Sequence, residues 1–128
     1  MRRYRETGGA VGHAWNGATC LVLTTTGRRS GEPRDTPLIY ARDGDAYIVV
    51  ASNGGADRHP AWYLNLLAQP RVEVQVLARR FAATAETAEG GERERLWRKA
   101  TEVWPNYDAY TRRTDRTIPL VVLRPVAS

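Results

Sequence analysis

Three arginines fall within seven positions of the segment Gly27-Arg28-Arg29-Ser30-Gly31-Glu32-Pro33-Arg34. They surround a bend that two glycines permit and Pro33 restricts. Guanidinium forks and the N–H groups of such a bend can converge on the oxygens of a phosphate or polycarboxylate, and Ser30 adds a hydroxyl donor. The spacing lacks the Gly-Lys-Ser/Thr ending of a nucleotide phosphate loop. A solvated hairpin turn would carry the same residues.

A second candidate is Ser52-Asn53-Gly54-Gly55-Ala56-Asp57-Arg58-His59-Pro60, which runs from a strand into a helix. Small residues let a planar ring lie against the backbone, and a helix start favours an anion. His59 could instead serve the loop by hydrogen bonding within it. The third feature is aromatic: Trp97, Trp104, Tyr107 and Tyr110, followed by Arg112, Arg113 and Arg116. These rings could wall a cavity for a flat substrate, with hydroxyl donors, or pack a core. Metal chemistry has little support, because His13 and His59 are the only histidines and Cys20 the only cysteine. That lone cysteine also excludes an intrachain disulfide. Ser52, Asp57 and His59 lack the strand elbow that exposes a hydrolytic nucleophile, and no paired carboxylates suggest glycosidase chemistry.

These groups need elements to hold them. Thr19–Thr26 is dense in β-branched residues and reads as a strand. A second strand follows over about Asp35–Ala41, then an Asp43-Gly44 hairpin and a third strand at Asp45–Ala51. Pro60 suits the first turn of a short helix carrying Trp62, Tyr63, Leu66 and Leu67 inward and ending near Gln69-Pro70. Val72, Val74 and Val76 alternate with polar residues in a fourth strand, and Arg80–Glu86 makes a fifth. Gly90-Gly91 marks a turn, Glu92–Trp104 a helix with Leu96, Ala100 and Val103 on its apolar face, and Asn106–Arg113 a further turn or two. Thr117–Leu123 is the sixth strand. The early connections are too short for parallel crossovers, so the pairing is antiparallel. Six such strands with two helical segments suggest a small barrel, mostly β with flanking helices.

The 128 residues are enough for one ordinary domain, with residues 1–17 read as an arm and 18–126 as the folded unit. At 42% hydrophobic and 26% charged, the chain belongs with folded soluble domains, and no apolar run is long enough to span a bilayer. Nothing near the start resembles a secretory signal, so a cytoplasmic location is expected, with peripheral contact at the inner face of the plasma membrane left open. The net charge is +5, and all but one of the 19 basic residues are arginine. That bias favours bidentate recognition of phosphate or carboxylate, and is too weak to indicate nucleic acid.

The stretches Leu23–Gly31, Pro33-Arg34, Thr36-Pro37-Leu38, Asp43-Gly44-Asp45, Val49–Ser52, Gly54–Asp57, His59–Asn65, Pro105–Tyr110 and Arg116–Pro119 occur in an order that resembles the deazaflavin-dependent nitroreductase family of actinobacterial type. The likeness runs from about Cys20 to Pro125. It implies a six-stranded antiparallel split β-barrel of the flavin-reductase-like type. It also implies an oxidoreductase that passes a hydride from reduced coenzyme F420 (F420H2) to a quinone or nitroaromatic-like acceptor. By that resemblance Arg28, Arg29, Ser30 and Arg34 lie near the anionic tail of the cofactor. Pro37, Ala51, Ser52, Asn53, Gly54, Gly55, Ala56, Asp57, Arg58, His59, Trp62 and Asn65 complete the cofactor side, and Trp104, Tyr107 and Tyr110 the catalytic acceptor side. Relatives commonly carry lysine where this chain has Asn53 and often where it has Arg58, and often tyrosine at position 104. A homodimer could complete the pocket. The alternatives are a noncatalytic F420 carrier and an FMN- or haem-binding barrel.

Overall fold

The second β segment changes partners halfway along its length. The computed structural model describes residues 14–15, 18–52, 59–112, 114 and 117–126. Its strands are β1 (Ala14–Trp15), β2 (Ala18–Thr26), β3 (Pro33–Ile39), β4 (Ala41–Asp43), β5 (Ala46–Val50), β6 (Arg71–Val76), β7 (Arg79–Thr87) and β8 (Leu120–Pro125). Helix α1 (Ala61–Ala68) joins β5 to β6, while α2 (Gly90–Val103) and α3 (Asn106–Thr111) lie between β7 and β8.

β3 and β4 are two halves of the single strand expected over Asp35–Ala41, broken at Tyr40. β3 pairs antiparallel with β2, whereas β4 pairs with β5. The remaining ladders run β2–β6, β6–β7, β7–β8 and β8–β5, all antiparallel. The bent segment therefore closes the sheet on itself through the chain, giving a mostly β barrel with flanking helices. Closure leaves few unpaired edges. The corner is pinned twice: the Tyr40 N–H donates to the Thr19 carbonyl at 3.0 Å, and the Thr19 hydroxyl donates to the Tyr40 carbonyl at 3.1 Å.

Alternation explains which side chains enter the barrel. Leu21, Leu23, Val49, Val72, Val74, Val121 and Leu123 pack inside with Trp62, Tyr63 and Leu66 of α1. β5 is buried along its whole length because its other face is also covered. Ile48, Leu120 and Val122 pack outward beneath Leu96 of α2. Leu96 is 1% exposed, and burying it contributes about 2–3 kcal/mol. α2 is tied down at Asp43, whose carboxylate accepts from Arg95 Nη1 at 2.9 Å and Lys99 Nζ at 2.8 Å.

Several boundaries differ from the sequence reading. Gly90 and Gly91 open α2 rather than forming a separate turn, although Gly90 has φ +60 and so retains a turn conformation. The last strand is displaced to Leu120–Pro125, because Ile118 packs into an aromatic cluster ahead of the ladder. The fifth expected strand is longer, Arg79–Thr87. Leu67 faces out at 55% exposed, since the short α1 buries only the side carrying Trp62, Tyr63, Asn65 and Leu66. Gln75 is buried against the alternation, with its amide donating to the Leu77 carbonyl and accepting from Arg80. Within the expected arm, Ala14–Trp15 pairs with β2; residues 1–13 and 16–17 lie outside the described residues. No helix among the described residues is long and apolar enough to cross a membrane.

Two predictions concern stability. Leu77, in the two-residue link between β6 and β7, has φ 55, a left-handed conformation that costs an L-residue about 1–2 kcal/mol. Because its side chain is largely exposed, Leu77→Asn is expected to raise unfolding stability by about 0.5–1 kcal/mol in urea titration.

The second concerns Asp43, whose carboxyl is held well below the ordinary carboxylate range by hydrogen bonds from Arg95 and then Lys99. A lowered folded pKa means that the clamp contributes fully above the unfolded value of about 4 and is lost as pH falls through the folded one. With Arg95 54% exposed, solvent screening limits the effect. Asp43→Asn is therefore expected to cost about 1 kcal/mol at pH 7, with the deficit shrinking below pH 4 in denaturation experiments.

Candidate functional site

The arginine bend folds around a backbone loop of its own. The Gly27 N–H donates to the Glu32 carbonyl and the Gly31 N–H to the Gly27 carbonyl, both at 2.8 Å. Gly31, with φ +73, supplies the left-handed step that reverses the chain. The Ser30 hydroxyl accepts from the Glu32 N–H at 3.2 Å and still has its own proton to donate. Because the bend joins β2 to β3, its arginines project at one end of the barrel, beside α1.

A groove of about 400 Å³ lies there, within the range of small-molecule sites. Arg28, Arg29, Ser30 and Arg34 from the bend meet Trp62 and Asn65 from α1, with Thr25, Gly27, Asp35, Thr36 and Ala61 completing the walls. The three guanidiniums face one carboxylate, that of Asp35, which already accepts from the Thr24 hydroxyl at 2.6 Å. The excess positive charge and the array of donors fit an anionic group. Asn65 is 5% exposed, and its amide oxygen accepts from both the Arg28 main-chain N–H at 3.2 Å and Arg28 Nη1 at 2.9 Å. The amide nitrogen donates to Thr25 Oγ1 at 3.2 Å.

The aromatic set forms a second locus. Tyr107 is buried with Val50, Ala100 and Ile118, and Ile39, Trp97, Trp104 and Tyr110 pack around them. Tyr107 lies 6.3 Å from Trp97 and 6.2 Å from Tyr110, centroid to centroid. Trp97 Nε1 donates to Asp108 at 2.7 Å, and Trp104 Nε1 to Tyr110 Oη at 3.4 Å. Burial, reinforced by the neighbouring Tyr110 and Cys20, pushes the Tyr107 phenol above its ordinary pKa. The phenol is therefore protonated throughout the neutral range.

β3 spans the two loci. Thr36 lines the groove and Ile39 touches the aromatic cluster, three residues or about 10 Å along the strand. The loop after β5 starts beside the cluster, where the Ala51 N–H donates to the Pro119 carbonyl at 2.9 Å, and it ends at α1 beside the groove.

Of the residues predicted for the cofactor side, Arg28, Arg29, Ser30, Arg34, Trp62 and Asn65 converge on one groove. Ala51 and Ser52 are buried at the start of the loop, and Pro37 is exposed on β3 outside the groove lining. His59 packs edge-on to Tyr63 at 5.1 Å and lines a different groove with Thr87 and Arg93. Asn53, Gly54, Gly55, Ala56, Asp57 and Arg58, as well as Arg113 and Arg116, lie outside the described residues. The sequence reading missed Thr25, Gly27, Asp35, Thr36 and Ala61 as groove walls. For Thr25 a signal exists: on β2 it shares the inward parity of Leu21 and Leu23. Among the described residues no cluster of histidine, cysteine and acidic side chains could hold a metal.

The family model of F420H(2)-dependent quinone reductases matches residues 1–125. An F420H(2)-dependent quinone reductase of Mycobacterium tuberculosis is 48% identical over 124 residues, covering 94% of this chain and 83% of the relative. A solved structure described as an F420-H2 dependent reductase (FDR-A) superposes with TM-score 0.77 at 40% identity, covering 82% of this chain and 93% of that one. Another, described as a domain-swapped dimer, gives TM-score 0.80 at 37% identity, with 96% and 92% covered.

The bend should not tolerate a side chain at its first glycine. A Cβ on Gly27 would stand 2.7 Å from the Ser30 hydroxyl and 3.2 Å from the Glu32 carbonyl. Gly27→Ala is expected to rotate Ser30 away from the Glu32 N–H and to destabilise the fold by about 1–2 kcal/mol, measured by denaturant titration.

Proposed function

The chain belongs to the F420H(2)-dependent quinone reductase family, and from that premise we propose that the arginine groove holds the anionic tail of F420 while the aromatic locus receives the acceptor. It is an enzyme, an F420H2-dependent oxidoreductase acting on quinone-like acceptors. The observation that carries the residue assignment is the meeting of Arg28, Arg29, Arg34 and Ser30 in one groove against a single carboxylate. That donor set fits a phosphate- and carboxylate-bearing tail.

Reduced F420, when bound, supplies the hydride. The protein's own residues bind and orient. Arg28, Arg29 and Arg34 grip the remote tail, so that binding energy far from the reacting atoms fixes their approach. β3 runs from the groove towards the aromatic locus, and the segment Ala51–Asp57 is the one assigned to the planar ring. Tyr107 is protonated in the neutral range, burial raising its pKa further, and so can donate a hydrogen bond towards the negative charge that develops on a reduced acceptor. Trp104 and Tyr110 flank it as the walls of the acceptor site. A homodimer belongs to the same proposal, supported by a 37% identical structure described as a domain-swapped dimer.

The test is titration of purified protein with F420 and F420H2, followed by oxidation assays with menaquinone and nitroimidazole analogues. Arg34→Ala is expected to raise the cofactor KM about tenfold or more, in line with loss of a charged hydrogen bond, and to change kcat little. Tyr107→Phe is expected to lower kcat about tenfold or more with the cofactor KM preserved, and the wild-type rate should show no titration of Tyr107 between pH 6 and 9. Tight binding without turnover on any acceptor would make the protein a carrier. Preference for FMN or haem over F420 would overturn the cofactor assignment.

A further inference from the structure

We infer that Thr25 is a positioning residue for the anion site: its buried hydroxyl sets Arg28 in place through the amide of Asn65. The inference rests on the reading of the groove as the seat of the cofactor tail.

Thr25 lies in the groove wall at 1% exposed, so it offers a ligand almost no surface of its own. Its position on β2 is an inward one, in line with Leu21 and Leu23, where the barrel elsewhere takes apolar side chains. What the hydroxyl does there is accept a hydrogen bond from Asn65 Nδ2 at 3.2 Å. The other end of that amide meets Arg28 twice, accepting from its main-chain N–H and from Nη1. Both Arg28 groups are donors only, so the amide oxygen must face them and the amide nitrogen must face β2. Thr25 supplies the acceptor that this orientation demands.

Remove that acceptor and the Asn65 NH2 group is left buried on the barrel side, a costly arrangement. The amide then relaxes by turning away, and Arg28 loses the contact that holds its main chain and side chain together. An exposed arginine freed in this way must be ordered again by each incoming anion, which weakens binding without touching the reacting atoms. Thr25 thus acts on cofactor affinity from inside the barrel, two links away from the ligand.

The decisive variant is Thr25→Val, which keeps the shape and removes the hydroxyl. It is expected to raise the F420 Kd and the F420H2 KM about threefold to tenfold with kcat unchanged, and Thr25→Ser is expected to restore both to within about twofold. In an Arg28→Ala background, Thr25→Val should add nothing further to the loss of affinity, because the guanidinium it acts through is gone. Amide hydrogen exchange at Arg28, followed by NMR without cofactor, should be faster in Thr25→Val than in wild type.

Unchanged exchange at Arg28, or a Thr25→Val effect of equal size with and without the Arg28 side chain, overturns the inference. Failure of wild-type protein to bind F420 overturns the reading of the groove instead, and the exchange experiment still decides whether Thr25 positions Arg28. Should Thr25→Val fail to fold, the same comparisons are made with Thr25→Ala, with the same outcomes for and against.

Discussion

The structure depends on one change of partner. At Tyr40 a single extended segment leaves β2 and joins β5, and two hydrogen bonds between Tyr40 and Thr19 hold the corner. Because β3 and β4 belong to one bent segment, the ends of the ladder path are joined through the chain at this corner, and few edges are left unpaired. The same corner fixes the direction of β3, whose far end emerges at the arginine bend. Tyr40 is itself buried against Tyr47 at 5.4 Å in an edge-on arrangement, so the corner is part of the core and not a surface loop.

From that constraint the site follows as a matter of geometry. β3 leaves the bend carrying Arg34 and Thr36 and arrives at the aromatic cluster with Ile39. α1 starts where the loop after β5 ends, and its buried face sends Trp62 and Leu66 into the barrel while Asn65 reaches the bend. The groove is thus built on a strand, a hydrogen-bonded turn and a packed helix. Within it the Arg28 guanidinium is already held by Asn65, and a group ordered before a ligand arrives loses less entropy on binding.

The two loci divide the work by their electrostatics. The groove is exposed, rich in permanent positive charge and suited to binding. In the aromatic locus Tyr107 is buried, and burial raises its phenol pKa further above the neutral range. In the proposed reading, the groove takes the charged tail of the cofactor and the aromatic locus faces the acceptor. Family membership names that cofactor; the geometry by itself defines only the class of ligand.

Much of this was legible along the chain. Alternation in Val72-Glu73-Val74, the Asp43-Gly44 hairpin and the Pro60 helix start are local patterns, and local physics decides them. The clustering of Arg28, Arg29 and Arg34 was visible because a short bend keeps sequence neighbours adjacent in space. Three things needed the third dimension. The break at Tyr40 depends on two strands that approach from opposite sides. The helix start at Gly90-Gly91 depends on Leu96 being drawn onto β5 and β8. The contacts among Thr25, Asn65 and Arg28 link residues 37 and 40 positions apart, a distance over which no periodicity carries information. Residue type and spacing determined which groups could bind an anion; only the folded barrel decided which of them are held ready to do so, because that depends on buried hydrogen bonds between segments remote in sequence.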